Sequence, residues 1–494
     1  MIDALLTRLK DGIEIRQTLS KIRQAIKDEE TFSDLYNIMW DQTNLLIPLL
    51  QSEDAKTRKN TALLMGDLAM DDFLEPLFTA YQKEETLFVR GSYLTAMKNF
   101  DYEELLPKLH KQYDKLCTQK TAEENKKHIE EEIRLLRELI IEEEGIPMHT
   151  FTGMNRKHQC VLLTNRNHTD FVATQLTELG LKPTVFSAGV HVVTDALESL
   201  LSLRTYQEML FEPDMLKPCS FDAKAIVSML LQSDLLAFLQ QDHKGDTPFY
   251  YRIELKSNKD LRFKSDLTKK IASTLELESN RMLLNSPSHY EIELRIIENE
   301  EGTCSIMVKY FTLPDHRFSY RTESVAASIK PTDAALLAAL AQPYMAEDAQ
   351  VLDPFCGVGT MLIERQKIQK ANTSYGIDIY PTAIAKAQEN TQNAGQIIHY
   401  INKDFFNFTH EYLFDEIFTN MPFAAGKTTQ QEIVQLYEQF FKKIPSLLTK
   451  EGKVILYTHN ATEAKKIAAK NSYKLLAAFP YRNKPRTDLL IFSR

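Results

Sequence analysis

The stretch that decides the fold is Val351-Leu-Asp-Pro-Phe-Cys-Gly-Val-Gly-Thr-Met-Leu-Ile-Glu364. Its apolar start predicts a buried strand that ends at Asp353, and its second half predicts a helix that begins at Thr360. The loop between them contains Gly357 and Gly359, which let the backbone approach a ligand closely. A strand, a glycine loop and a helix in this order are typical of a doubly wound α/β sheet, which binds ligands at the carboxyl ends of its strands.

Two common phosphate-binding loops fit this stretch poorly. It lacks Gly-Lys-Ser/Thr, so it is not the loop that cradles nucleoside triphosphates. Leu362 stands where a dinucleotide fingerprint has its third glycine. Asp353 can instead accept a hydrogen bond from the ammonium group of a ligand or from a loop amide.

Acidic residues also follow the next two predicted strands. Asp378 ends Tyr375-Gly-Ile-Asp378, where a carboxylate can bind the two ribose hydroxyls of a nucleoside. Asp404 lies in Asn402-Lys-Asp-Phe405, where it can accept from an adenine amino group. Each signal alone is weak, because Asp at a strand end is commonly a turn or helix-cap residue. Together, in order and at these spacings, they predict a pocket for S-adenosylmethionine.

A fourth motif, Asp415-Glu-Ile-Phe-Thr-Asn-Met-Pro-Phe423, indicates the reaction. An exocyclic amine is a poor nucleophile because its lone pair is delocalised. The side-chain oxygen of Asn420 and the carbonyl of Met421 can accept the hydrogens of such an amine, and the ring of Phe423 can stack on a flat substrate. Beside a cofactor pocket this motif predicts N-methylation, whereas alone it reads equally well as an ordinary β-turn.

Strands and helices alternate around these motifs. The predicted strands are Gln350–Asp353, Tyr375–Asp378, Ile397–Ile401, Glu416–Asn420, Lys453–Thr458, Leu475–Phe479 and Asp488–Phe492, and the predicted helices are Thr360–Lys370, Thr382–Ala394, Gln430–Ile444 and Ala461–Ala469. We therefore expect a C-terminal α/β domain over residues 325–494 with a seven-stranded sheet that ends in an antiparallel hairpin.

Two different regions precede this domain. Residues 150–320 predict an α/β module, with Tyr290–Ile297 and Thr303–Thr312 paired across an Asn-Glu-Glu-Gly turn. Residues 1–145 predict an all-α region, in which Arg58 and Arg90 begin similar segments 32 residues apart. Such a repeat resembles HEAT-type solenoids, and an irregular bundle is the alternative. Trp40, in an apolar helical run, is predicted to lie in the core.

The composition is that of a soluble, multidomain protein: of 494 residues, 43% are hydrophobic and 26% charged. No apolar run approaches the 18 residues of a membrane span, and the N-terminus lacks the pattern of a signal peptide. The five cysteines show no metal-ligand spacing, so we expect reduced thiols, no metal and a cytoplasmic location. The net charge of −9 argues against a protein that coats nucleic acid, but not against a locally basic surface.

Several basic clusters support a nucleic-acid partner weakly, because such clusters are more often solvated faces. They are Arg156-Lys-His158, Arg166-Asn-His168, the group of Arg262, Lys264, Lys269 and Lys270, and the group of Arg482, Lys484 and Arg486 between the last two strands.

The motifs resemble those of the RNA N-methyltransferases that carry a THUMP-type RNA-binding module before a Rossmann-like catalytic domain. The resemblance rests on DPFCGVGTMLIE, on GIDIYPTAIAKAQEN, on NMPF, and on Tyr320-Arg-Thr-Glu-Ser-Val-Ala-Ala-Ser-Ile-Lys-Pro331. It covers about 320–494 well and 150–320 loosely. It implies methyl transfer from S-adenosylmethionine to guanine N2 of tRNA or ribosomal RNA.

The resemblance also assigns site residues. The expected catalytic residues are Asn420, Met421, Pro422 and Phe423, and the expected cofactor-binding residues are Asp353, Phe355, Gly357, Gly359, Asp378, Ile379, Asp404 and Phe405. Two departures affect the catalytic loop: Met421 replaces the usual first proline, and Gly426 comes two residues late.

Other functions use similar motifs. Adenine-N6 methylation of DNA and glutamine methylation of proteins both use an Asn-x-Pro-Phe type of loop. The separate α/β module favours RNA. The helical region leaves a protein substrate open, because such repeats usually bind proteins, and it also suggests a protein partner. A third alternative is a non-catalytic scaffold that has kept the methyltransferase fold.

Overall fold

The computed structural model describes residues 2–119, 121–245, 248–424 and 429–494. The chain divides into two compact units, Met1–Pro147 and Met148–Arg494, which are described separately.

Helices and short 3-10 turns make up the first unit where it is described. The helices are α1 (Ile2–Lys10), α2 (Ile15–Ala25), α3 (Glu29–Trp40), α4 (Ala55–Leu68), α5 (Leu74–Lys83), α6 (Leu87–Met97), α7 (Leu106–Thr118) and α8 (Glu123–Glu144). Asp54 shows why α4 begins where it does, since its carboxylate accepts a hydrogen bond from the Thr57 amide at 3.0 Å. The predicted all-α region is confirmed.

The two similar segments, which contain Arg58 and Arg90, form contacts that are only partly equivalent. Arg58 pairs with Glu84 at 2.7 Å, and Arg90 pairs with Glu132 at 2.6 Å. The helices that contain these arginines, α4 and α6, pack closely against one another. The acidic partners do not keep the 32-residue offset, so the HEAT-type interpretation stays a prediction.

The expectation that Trp40 lies in the core is wrong. Its side chain is 66% exposed, whereas Leu35 and Met39 on the same helix are buried. Trp40 is the last residue of α3 and follows Tyr36 by one helical turn, with the two rings 6.1 Å apart. Tyr36 packs partly against the core, whereas Trp40, at the end of the helix, is exposed to solvent.

The second unit opens with a mixed sheet. Its elements are β1 (Thr150–Phe151), β2 (His158–Leu163), α9 (Thr169–Glu178), β3 (Thr184–Phe186), β4 (Gly189–Thr194), α10 (Leu197–Ser202), β5 (Glu208–Phe211), β6 (Cys219–Ser220), α11 (Ala223–Gln232), α12 (Leu235–Asp242), β7 (His243–Lys244), β8 (Phe249–Lys256), α13 (Leu261–Glu278), β9 (Leu283–Asn285), β10 (Ile292–Glu298) and β11 (Thr303–Tyr310). The strand order is β3-β4-β2-β5-β11-β10-β8-β9, with β6 beside β11 and β1 paired separately with β7. The predicted hairpin is present, because Ile292 lies opposite Tyr310.

Among the described residues no single helix is long and apolar enough to cross a membrane. The bent pair α11 and α12 passes that test only when its two helices are taken together, by length and composition.

The C-terminal part forms the second large sheet of this unit. Its elements are α14 (Pro331–Ala341), β12 (Gln350–Asp353), α15 (Thr360–Ile368), β13 (Thr373–Asp378), α16 (Pro381–Asn393), β14 (His399–Asn402), β15 (Phe414–Asn420), α17 (Gln430–Lys443), β16 (Leu448–Thr458), α18 (Ala461–Lys470), β17 (Lys474–Asn483) and β18 (Arg486–Ser493). The strand order is β14-β13-β12-β15-β16-β18-β17, and within the described sheet only β18 runs opposite to the other strands. This confirms the Rossmann-like architecture, the seven strands and the closing hairpin.

Polar contacts join the two sheets of this unit. Arg204, in the segment before β5, pairs with the buried Glu364 of α15 at 2.6 Å. The hydroxyl of Tyr320 donates to the same carboxylate at 2.7 Å. The division into domains at 150–320 and 325–494 remains our proposal, and these contacts lie across it.

Candidate functional site

The loop between β12 and α15 has the conformation that only glycine adopts easily. Gly357 and Gly359 have φ angles of +52° and +81°. A Cβ atom on Gly359 would lie 2.2 Å from the hydroxyl oxygen of Tyr400, so glycine is required there for packing as well. The loop therefore delivers the first turn of α15, with its unpaired amides, close to the end of β12.

Asp353, the last residue of β12, is fully buried. Its Oδ1 atom accepts hydrogen bonds from the Thr419 hydroxyl at 2.5 Å and from the Phe355 amide at 3.1 Å. Its Oδ2 atom has no partner among the described residues. Burial raises the pKa of this carboxyl group to about 7, with a smaller contribution from the nearby charge of Asp378.

Asp378, the last residue of β13, connects two loops of the site. Its Oδ2 atom accepts from the Gly357 amide at 2.9 Å, and its Oδ1 atom accepts from the Tyr380 amide at 2.9 Å. A carboxylate has about four acceptor positions, so Asp378 can also bind ligand hydroxyls.

Asp404 follows β14 and caps a short 3-10 turn. Its Oδ1 atom accepts from the Phe406 amide at 2.9 Å, and its Oδ2 atom accepts from the side chain of Asn407 at 3.2 Å. The turn-forming role that Asp commonly has at a strand end is therefore present here. Phe405 is buried, and its ring lies 5.7 Å from that of Phe355.

The four predicted catalytic residues lie at the end of β15 and just beyond it. The side chain of Asn420 has a buried Oδ1 atom without a partner among the described residues. Met421 is fully buried, and its amide donates to the carbonyl of Tyr457 at 2.9 Å. Met421 thus anchors the loop in the core while Phe423 remains half-buried. Gly426, the late glycine of this loop, lies outside the described residues.

His459 stacks on Phe423, with ring centroids 4.3 Å apart and an angle of 22° between the planes. Burial lowers the pKa of His459, and the positive charge of Arg482 lowers it further. The sequence motifs did not single out this residue. The available signal was its position one residue after β16, at the same edge of the sheet as the catalytic loop.

A cavity of about 520 Å³ brings most of these residues together. The predicted residues on its wall are Phe355, Gly357, Asp378, Ile379, Asp404, Phe405, Asn420, Met421, Pro422 and Phe423. Asp353 and Gly359 are not on the wall: Asp353 is buried behind it and Gly359 packs against Tyr400. The volume is in the range of small-molecule sites.

Other wall residues were not singled out individually in the sequence. They include Val325, Ala327, Ser328, Ile329, Tyr380, Ala383, Lys403, Ile433 and Leu436. The first four belong to the segment before α14, which is held by α16: the side chain of Asn390 accepts from the Glu323 amide at 3.0 Å, and Lys386 pairs with Glu323 at 2.8 Å.

The chemistry of the wall does not resemble a metal centre or a thiol site. The described ranges contain no group of three His, Cys, Asp or Glu side chains that could hold a metal ion. Cys356 is buried in the glycine loop, and burial raises its pKa well above the usual value, which keeps the thiol protonated.

Residues 319–483 match the family model "UPF0020: RMKL-like, methyltransferase domain". The C-terminal part is a methyltransferase domain. Solved structures agree on the fold. TrmN from Thermus thermophilus is 17% identical with a TM-score of 0.51, and the match covers 68% of this chain and 99% of that one. SMU.472 complexed with SAH is 15% identical with a TM-score of 0.52, and the match covers 69% and 99%.

A third similar structure is a predicted N6-adenine-specific DNA methylase from Listeria monocytogenes. It is 17% identical with a TM-score of 0.50, and the match covers 68% of this chain and 96% of that chain. The match to the methyltransferase-domain family makes S-adenosylmethionine the cofactor of this domain.

The residues present fit that cofactor. Open space lies beside Gly357, where a side chain would project, and carboxylates at Asp378 and Asp404 stand beside the apolar Ile379 and Phe405. A nucleoside needs acceptors for its hydroxyl and amino groups and apolar surface for its ring, and this wall offers both.

Proposed function

We propose that the protein transfers a methyl group from S-adenosylmethionine to an exocyclic amine of RNA, with guanine N2 of tRNA or ribosomal RNA as the acceptor. The observation that carries the proposal is the Oδ1 atom of Asn420. It is buried and unpaired in the described part of the chain, and its residue lines the cavity together with Phe423. A buried acceptor without a donor is costly, which is a reason to expect that a ligand supplies one.

Bound S-adenosylmethionine supplies an electrophilic methyl group on a sulfonium. The cofactor half of the cavity is formed by the glycine loop, Asp378 and Asp404. Asp378 would bind the ribose hydroxyls, and Asp404 would accept from the adenine amino group.

The substrate half is formed by the catalytic loop. Asn420 Oδ1 and the Met421 carbonyl would accept the two hydrogens of the amine, which shifts its lone pair out of conjugation and toward the methyl group. Phe423 would stack on the base, and Pro422 would stiffen the backbone between Met421 and Phe423. Positioning, rather than a strong base, accounts for the catalysis, and the proton leaves to water afterwards.

His459 has a supporting role in this proposal. Because its ring covers one face of Phe423, it holds the plane of that ring while the base stacks on the other face. The lowered pKa of His459 keeps the imidazole neutral at neutral pH, so it adds no charge beside Arg482.

The rest of the chain is given roles in the same proposal. The module at 150–320 would bind RNA, and the helical region at 1–145 would bind a protein partner. The enzyme would act in the cytoplasm. RNA is favoured over DNA because a whole sheet-containing module precedes the catalytic domain and is joined to it by the Arg204–Glu364 pair.

The test is transfer of labelled methyl from S-adenosylmethionine to tRNA, ribosomal RNA, duplex DNA and protein, each prepared from cells that lack this protein. We expect label in one RNA pool and N2-methylguanosine on nucleoside analysis, with the Asn420→Ala protein as the control. Label in DNA alone or in protein alone would show that this pool, and not RNA, contains the acceptor. Label in no pool, with cofactor binding intact, would favour a non-catalytic scaffold.

A further inference from the structure

The hairpin of β17 and β18 reaches the edge of the sheet where the catalytic loop lies. β16 is parallel to β15, and β18 is antiparallel to β16, so the β17–β18 turn lies at the carboxyl ends of β15 and β16. In the sheet register Asn420 is opposite Tyr457, Tyr457 is opposite Leu489, and Leu489 is opposite Phe479. Three strand spacings separate Asn420 from β17, which is about 14 Å.

A loop of the α/β module is fixed to this hairpin. The side chain of Asn165 donates to the Tyr481 carbonyl at 2.9 Å, and His168 Nε2 donates to the Pro480 carbonyl at 2.9 Å. Both side chains are buried. The contact therefore joins residues 165–168 and the hairpin into one surface.

This surface carries four cations, Arg166, Arg482, Lys484 and Arg486, and we call it the junction surface. Arg166 and Lys484 are exposed, and neither has an acidic partner in the described ranges. Arg482 pairs with Asp333 at 2.5 Å and Arg486 with Asp488 at 3.2 Å, yet these arginine side chains keep 43% and 71% of their surface exposed. The exposed acidic residue nearest to Arg166 in the sequence is Asp170, in the first turn of α9.

The basic character of the junction surface is local. The chain has a net charge of −9, and the two acidic partners at the junction surface are buried beneath the arginines rather than exposed to solvent. Exposed cations above buried, already paired carboxylates present a positive face, and phosphate groups are the anions that such a face binds along a nucleic-acid strand.

A second cluster noted in the sequence lacks this property. Arg156 pairs with the buried Asp242 at 2.5 Å, and His158 is itself buried. The arginine of that cluster is thus paired with a buried carboxylate and the histidine lies in the core, which leaves Lys157 as its exposed cation.

We propose that the junction surface binds backbone phosphates of the nucleic-acid strand whose target base enters the cavity. The proposal rests on the proposed function, because it assumes a nucleic-acid substrate. The surface is built from both the module and the catalytic domain, so it holds the strand where the two parts meet.

The experiment compares two double variants of the full-length protein. Arg166→Gln with Lys484→Gln removes the two unpaired cations of the junction surface. Lys182→Gln with Lys474→Gln is the matched control: it removes two lysines from the opposite ends of the same structural elements, after α9 and at the start of β17. Neither pair includes a residue of the cavity wall.

The readout is the affinity for the RNA pool that accepts methyl, measured against salt concentration, together with affinity for S-adenosylmethionine. We expect the junction variant to reduce the slope of log affinity against log salt by about 2, or about 1 for each phosphate that is no longer neutralised. Its KM for RNA rises and its affinity for S-adenosylmethionine is unchanged. The control variant keeps the wild-type slope.

Two outcomes would overturn the proposal, and they differ in what else they affect. An unchanged slope in the junction variant, while the wild-type protein methylates RNA, would overturn the junction surface alone. A wild-type protein that neither binds nor methylates nucleic acid would overturn the proposed function and this surface with it.

Discussion

A buried carboxyl group without a cation beside it holds its proton more tightly than one in water, and Asp353 is such a group. With a pKa raised to about 7, it is largely protonated at pH 6 and largely ionised at pH 8. S-adenosylmethionine carries a net positive charge, so it binds better when Asp353 is ionised.

We therefore expect the affinity for S-adenosylmethionine to rise as the pH increases through about 7. Isothermal titration on both sides of that pH measures this. Asp353→Asn is nearly isosteric and does not titrate, so its affinity should be flat over the same range. An equal pH dependence in the variant would assign the effect to another group.

Asn420 is expected to act on the substrate rather than on the cofactor. Replacing Asn420 by Ala removes the acceptor that orients the amine, so methyl transfer falls by a factor of about 100 or more, as for other preorganised polar groups. Affinity for S-adenosylmethionine changes little. Single-turnover transfer and cofactor titration on the same preparation separate the two effects, and retained transfer would refute the assignment.

His459 offers a test of the stacked pair. His459→Ala uncovers one face of Phe423, so we expect a lower kcat and a higher KM for the nucleic acid. His459→Phe restores an aromatic partner and should recover most of the activity. Recovery by Phe but not by Gln would indicate stacking, whereas recovery by Gln but not by Phe would indicate a hydrogen bond.

Among the secondary-structure elements, the parallel strands were the easiest to predict. Gln350–Asp353 was predicted with the same limits that the structure shows, because it is a short apolar run that ends at a loop. The largest difference among these parallel strands is at β16, which begins at Leu448 rather than at Lys453. The first residues of β16 include polar and exposed side chains, so their pattern does not predict a strand.

Two glycines of the first unit, Gly66 and Gly91, offer a test of how closely its helices pack. A Cβ atom on Gly66 of α4 would lie 2.5 Å from the Cα atom of Ala96 in α6, whereas on Gly91 of α6 it would meet the end of the Leu135 side chain at 3.0 Å. Backbone cannot move aside as a side chain can. Gly66→Ala should therefore lower the free energy of unfolding by about 1–3 kcal/mol.

Gly91→Ala is the matched control, because alanine favours a helix by up to about 1 kcal/mol over glycine. We expect it to leave stability within about 1 kcal/mol of wild type. Hydrogen exchange of α4 and α6 locates the effect, and equal destabilisation by both variants would contradict the packing argument.

For the molecule as a whole, the sequence predicted more about the pocket than about how its surroundings are assembled. The motifs that follow successive strands lie close together because parallel strands end at one edge of the sheet. This rule can be applied without knowing any side-chain contact. His459 and the contacts of Arg204 were not predictable in the same way. Each depends on residues distant in sequence that pack together only in three dimensions.

The Arg204–Glu364 pair tests how the two sheets of the second unit are held together. Glu364 is buried, so Arg204→Met leaves the negative charge of Glu364 without its main partner. We expect this to lower the free energy of unfolding by about 1–3 kcal/mol. The cost is smaller than for a fully buried pair because Arg204 is partly exposed. The double variant Arg204→Met with Glu364→Gln removes the charge and should be less destabilised than the single variant. Urea unfolding measures both, and a double variant that is less stable than the single one would contradict this explanation.

The stack of His459 on Phe423 has a consequence for the direction from which the substrate approaches. One face of Phe423 is already covered, so a base can lie only against the other face, and its amine must then point to Asn420. In the proposed function the flat substrate therefore has one way in: it approaches Phe423 from the side that faces away from His459.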